Sequence, residues 1–132
     1  MDRLFLGANV LFSAANRPNA GLLKLWQLPN VVLCTSRYAL EEARINLTED
    51  AQLRRLKKLS DNLNLFDPTS RELPRGVSLP EKDVPILLAA VEARCTHLIT
   101  GDLRHFGPYF GKKLAGVLVL LPADYLRLRG SL

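Results

Sequence analysis

Three carboxylates stand where one chain can gather them around an ion: Glu42 in "SRYALEEARINL", Asp83 in "KDVPILLAAVEA" and Asp102 in "LITGDLRHF". Acids brought to one edge of a sheet repel one another unless a divalent cation or bound protons offset the charge, and donors made only of oxygen suit Mg²⁺ or Mn²⁺. A cation held in this way activates water and stabilises a leaving oxygen. The chain carries 18 Lys and Arg against 13 Asp and Glu, a net charge of +5, and such a surface favours a polyanion by releasing its counterions. An acidic, metal-loaded pocket in a basic protein has the electrostatics of a nuclease. Singly, each acid has a plainer reading: Asp102 a turn residue, Asp83 a helix cap, Glu42 a solvated side chain.

The surrounding residues say how these acids are placed. Asp102 follows an apolar run ending at Ile99, with Gly101 allowing a tight turn. Pro85 is tolerated only in a first helical turn, so a helix begins near 82–84 with Asp83 at its N-terminal end. Asp83 shares a stripe with Leu87, Ala90 and Val91 on a helix apolar nearly all round, which puts it at the margin of the core. At about 100° per residue, Glu42 flanks the seam made by Ala39, Leu40, Ala43 and Leu47, and Glu41 points away into solvent.

Apolar runs alternate with helical patterns along the chain. Strands are expected at 3–6, 31–35, 63–66, 97–99 and 117–120, with helical periodicity at 20–26, 37–47, 49–62, 84–94 and 123–129 and a small-residue helical segment after Gly7. This is an α/β pattern, a central parallel sheet of about five strands with helices on both faces. The stretch 67–80, "DPTSRELPRGVSLP", is the one extended loop. Gly7 and Asp102 each come directly after a strand, so they belong at the same carboxyl edge of the sheet, where open parallel sheets bind ligands.

Composition narrows the classes further. At 132 residues, 48% hydrophobic and 23% charged, the chain fits a single domain over 1–132 and is neither disordered nor a coiled coil. The most apolar stretch, "LAGVLVLLP" at 114–122, is far short of a membrane span and reads as a buried strand. No secretory signal pattern opens the chain, so a cytoplasmic location is expected. Two cysteines without CxxC spacing indicate neither zinc nor a disulfide framework. No Gly-rich phosphate loop is present. Trp26 reads as packing and His97 as the start of a strand, and neither histidine has the spacing of a catalytic triad. Arg104, His105, Lys112 and Lys113 are candidate nucleic-acid contacts, with Lys57, Lys58, Arg71 and Arg75 as further basic candidates, most of these charges being solubilising.

Four blocks in order, "FLGANVLFSAA", "SRYALEEARINL", "KDVPILLAAVEA" and "LITGDLRHF", resemble those of PIN-domain proteins of the bacterial, VapC-like toxin kind, over nearly the whole chain. The resemblance implies a PIN-like three-layer sandwich and a Mg²⁺- or Mn²⁺-dependent endoribonuclease, with an antitoxin protein as partner and a homodimeric state. Glu42, Asp83 and Asp102 match the family's second, third and fourth acids. Asn9 matches the amide that holds the first block in shape, Thr100 the hydroxyl residue two places before the last acid, and Ser13 the small polar residue near the pocket mouth. Gly7 occupies the place of the first metal-binding aspartate. It marks a degenerate member, a substitution that silences a toxic enzyme, or a site rescued by water or by Asn9; a catalytically inactive RNA- or antitoxin-binding module is the alternative to a nuclease. A receiver-like signalling domain lacks support, since no paired acids follow the first strand.

Overall fold

Leu4, Phe5 and Leu6 follow one another in strand β1 (Asp2–Leu6), and all three are fully buried. Successive strand side chains point to opposite faces, so a strand buried at every position must be covered on both sides. Leu98 and Ile99 in β4 (His97–Ile99) and Cys34 and Thr35 in β2 (Val31–Thr35) repeat the pattern. The computed structural model, which describes residues 1–130, supplies that cover with helices flanking a six-stranded sheet of order β3-β2-β1-β4-β6-β5.

Five strands, with β3 (Asn64–Leu65) and β6 (Val117–Leu120) completing the set, pair in parallel, as the alternation of strands and helices leads one to expect. The sixth, β5 (Lys113–Leu114), pairs antiparallel with β6. The run at 114–122 is therefore not a single strand: it turns at Ala115 (φ 50°) and Gly116 (φ 87°). Two successive left-handed residues make the tight hairpin turn whose twist matches its strands.

The helices are α1 (Ala8–Asn16), α2 (Arg37–Asn46), α3 (Asp50–Ser60), α4 (Val84–Glu92), the single-turn α5 (Leu103–Phe106) and α6 (Pro122–Leu128). Residues Gly21–Gln27 form a 3₁₀ helix and not the α-helix that their periodicity suggests, because seven residues between flanking prolines cannot distinguish a repeat of 3.0 from one of 3.6. Trp26 packs there, its indole N–H donating to Leu59 O at 3.1 Å. Ile86, Leu87, Leu88, Ala89 and Ala90 are all buried, so the all-apolar surface of α4 finds its cover within one chain. No helix among the described residues is long and apolar enough to cross a membrane.

Helix α6 is tied to the first strand by a buried phenol. Tyr125, 1% exposed, donates to Asp2 Oδ2 at 2.6 Å and accepts from Arg129 Nη1 at 3.1 Å, and Arg129 Nη2 reaches Pro29 O at 2.8 Å. The phenol's hydrogen bond holds the Asp2 carboxyl below its usual 3.8. Burial, reinforced by Asp2, pushes Tyr125 up from 10.0 to about 12. Asp2 thus contributes stability that is present above pH 3.8 and lost as pH falls through its lowered folded-state value. Tyr125 contributes stability that is present below pH 10.0 and lost as pH rises toward about 12. Tyr125→Phe is expected to cost about 1 kcal/mol at neutral pH and to flatten both limbs, as urea denaturation across the pH range will show.

Candidate metal centre

Strands β1 and β4 lie side by side, Leu4 opposite His97 and Leu6 opposite Ile99, although each pair is 93 positions apart in the chain. Strand order runs outward in opposite directions from this pair, β2 and β3 to one side and β6 and β5 to the other, which makes their carboxyl ends the switch point of the sheet. Gly7, the residue after β1, donates its N–H to Ile99 O at 3.0 Å. Gly7 and Asp102 therefore meet at one edge, as their positions after strands require.

The turn after β4 is held by Asn9. Its Oδ1 accepts from Gly101 N at 2.9 Å and its Nδ2 donates to Thr100 Oγ1 at 3.2 Å; Thr100 Oγ1 in turn accepts from Asp102 N at 3.1 Å. Thr100 is 2% exposed. Both ends of the Asn9 amide are engaged, and Asn9 positions the turn.

A cavity of about 560 Å³ opens at this edge, and its walls include Gly7, Asn9, Glu42, Asp83, Thr100 and Asp102. All three acids singled out by sequence reach it. Glu42 faces it from α2, whereas Glu41 lies in solvent, paired with Arg44 at 2.6 Å. Burial pushes the Glu42 carboxyl up, with Lys82 opposing and Asp83 reinforcing. Asp83 stands at the N-terminus of α4 but its side chain caps no backbone N–H; it is 8% exposed and lines the cavity. Burial raises its carboxyl, His105 and Lys82 counter the rise and Asp102 adds to it. Asp102 does both things its sequence allowed, since Oδ1 caps α5 by accepting from His105 N at 3.0 Å while the residue lines the cavity.

Other side chains divide between the cavity wall and the surface. Ser13 is exposed and is not a wall of the cavity; it lies one turn further along α1 than Asn9, and Phe12 takes the lining position. Arg104, Lys112 and Lys113 are exposed and also outside the lining, while Lys82, read from sequence only as a helix start, is within it. His105, given no role in the chemistry, sits against both aspartates: Nδ1 is 2.8 Å from Asp83 Oδ2 and 3.0 Å from Asp102 Oδ2. The signal for it was the i, i+3 spacing from Asp102, which puts both residues on one face of a helical turn.

The donor set fits a divalent cation. Asp83 Oδ2 is buried and, despite its close approach to His105, has no aligned hydrogen-bond partner, and a second carboxylate stands beside it. At Gly7 nothing in the backbone calls for glycine: φ is −71° and ψ 165°, and an added Cβ would lie 3.5 Å from Ile99 O and 3.6 Å from Thr100 Cβ and Oγ1, ordinary contact distances. A side chain fits here. A carboxylate added without a counter-ion raises repulsion at the edge, so Gly7→Asp is expected to melt no higher than the parent protein in EDTA. A clearly higher melting temperature in that experiment contradicts the crowding of acids.

No family model matches the chain, and no curated protein matches it. Among solved structures, it is similar to one described as VapBC2 from Rickettsia felis bound to a DNA fragment from their promoter, with 16% identity, a TM-score of 0.66 and coverage of 89% of this chain and 96% of that one. It is also similar to FitAB bound to an IR36 DNA fragment and to FitAcB from Neisseria gonorrhoeae, each with 18% identity and a TM-score of 0.53; coverage is 90% and 91% of this chain and 94% and 98% of those. With the parallel sheet, its flanking helices and the edge cavity, these likenesses identify the fold of the chain as PIN-like, the one its four sequence blocks resemble.

Proposed function

We propose that the chain is a divalent-metal-dependent endoribonuclease of the PIN kind, toxin-like and paired with an antitoxin protein, whose turnover is weakened by Gly7. The observation that carries this reading is the convergence of Glu42, Asp83 and Asp102, from three separate segments, on one cavity at the carboxyl ends of β1 and β4. Asp83 and Asp102 would hold Mg²⁺ or Mn²⁺, with Glu42 in the wall of the same cavity. A bound cation supplies Lewis acidity toward water and the phosphodiester. The residues do the rest. Asn9 and Thr100 fix the turn that presents Asp102. Glu42, with its carboxyl raised by burial, is suited to take a proton from the attacking water. The net positive surface gathers the RNA backbone.

Gly7 itself favours a second reading, a PIN-fold module that binds RNA or an antitoxin without cleaving, because it offers no side-chain oxygen at the place of the first acid. RNA cleavage with Mn²⁺ by the parent protein, by Gly7→Asp and by Gly7→Asp combined with Asp102→Asn separates the two. Metal-dependent cleavage that appears or rises with Gly7→Asp and vanishes in the double variant supports the nuclease. Absence of cleavage in every variant leaves the binding module.

A further inference from the structure

Two buried side-chain atoms among the described residues have no aligned hydrogen-bond partner, Asp83 Oδ2 and His105 Nδ1, and they face each other at 2.8 Å. Folded proteins leave few such groups, and an ion bound by both is one of the explanations a site can give. Asp102 Oδ2 lies 3.0 Å from the same nitrogen. Two ligand atoms at right angles on a cation with bonds of about 2.1 Å stand about 3.0 Å apart, so the nitrogen stands from each of the two oxygens at the spacing of neighbouring ligands of one ion. One donor atom each from Asp83, Asp102 and His105 lies within 4.8 Å of the other two; Glu42, although it lines the cavity, is not in this compact set. His105 is not a cavity wall, and its Nδ1 is buried beside both carboxylates, so the ion it meets is the one they hold.

We propose that His105 supplies the third protein ligand of the cation held by Asp83 and Asp102, serving where Gly7 brings no carboxylate, and that this nitrogen shifts the site's preference from Mg²⁺ toward cations that accept imidazole, Mn²⁺ and more strongly Ni²⁺. Mg²⁺ takes oxygen ligands and gives up its waters reluctantly, whereas imidazole suits the later first-row ions and affinity rises from Mn²⁺ to Ni²⁺. The inference rests on the metal-dependent reading above, but metal binding tests it without any cleavage assay.

The experiment uses the full chain without a polyhistidine tag. Pulsed electron paramagnetic resonance of Mn²⁺ bound to the parent protein is expected to show coupling to an imidazole ¹⁴N, and His105→Gln to abolish it. Calorimetric titration should give Ni²⁺ binding at least about 10-fold tighter than Mg²⁺, with His105→Gln losing about 10- to 100-fold for Ni²⁺ and under about threefold for Mg²⁺. Bound Mn²⁺ without nitrogen coupling overturns the proposal, and so does the absence of metal binding; the parent spectrum decides even if the variant does not fold. Nitrogen coupling without RNA cleavage by either the parent or Gly7→Asp sinks the nuclease and leaves this ligand in place, while Mn²⁺-dependent cleavage without the coupling does the reverse.

Discussion

Gly7→Asp is expected to raise Mn²⁺-dependent RNA cleavage by at least about 10- to 100-fold, or about 1.4 to 2.7 kcal/mol of transition-state stabilisation, the loss typical of even an outer partner of a metal site. The backbone needs no adjustment to accept the change, because position 7 already has the extended geometry of an ordinary L-residue and free contact distances around the added Cβ. The new side chain starts from a residue that lines the cavity shared by Asp83 and Asp102. Its hydrogen-bonded frame is set by backbone groups, Gly7 N to Ile99 O at 3.0 Å and Val10 N to Gly7 O at 3.1 Å, and the substitution leaves them in place. A gel or fluorescence assay of RNA hydrolysis with Mn²⁺, run beside an EDTA control, measures the rise.

Asp83→Asn is expected to weaken Mn²⁺ binding by at least about 10- to 100-fold in calorimetry, while the same variant melts higher than the parent in EDTA. The two effects have one origin. Asp83 is 8% exposed and burial already raises its carboxyl, so the metal-free fold carries a charge that is poorly solvated. The amide has the same shape without the charge, which relieves the fold and removes the anion the cation requires. A lower melting temperature would show instead that the contact with His105 outweighs desolvation. Sites tuned for binding commonly oppose stability in this way.

Much of this arrangement was legible in the residues. Gly7 and Asp102 had to share an edge once both were placed after parallel strands. The rotation of 100° per residue sent Glu42 to the cavity and left Glu41 to Arg44. What stayed hidden depends on local geometry that composition does not encode. The turn between β5 and β6 falls inside an apolar run, and Ala115, a residue that seldom adopts a left-handed conformation, makes half of it. His105 meets Asp83 only because a single helical turn capped by Asp102 aims its ring across a gap of 22 positions in the chain. Ser13 is exposed one position beyond Phe12, which lines the cavity, and a motif gives an order of residues without saying which neighbour faces the space.

The two outermost strands, β3 and β5, are only two residues long, and their exposed positions include Asn64 and Lys113. Another polypeptide laid along either border would gain a ladder too short to repay its ordering. Protection against runaway fibrillar growth is thus inherent in the architecture, and a β-rich deposit formed on heating should come from unfolded chains rather than from stacked native molecules.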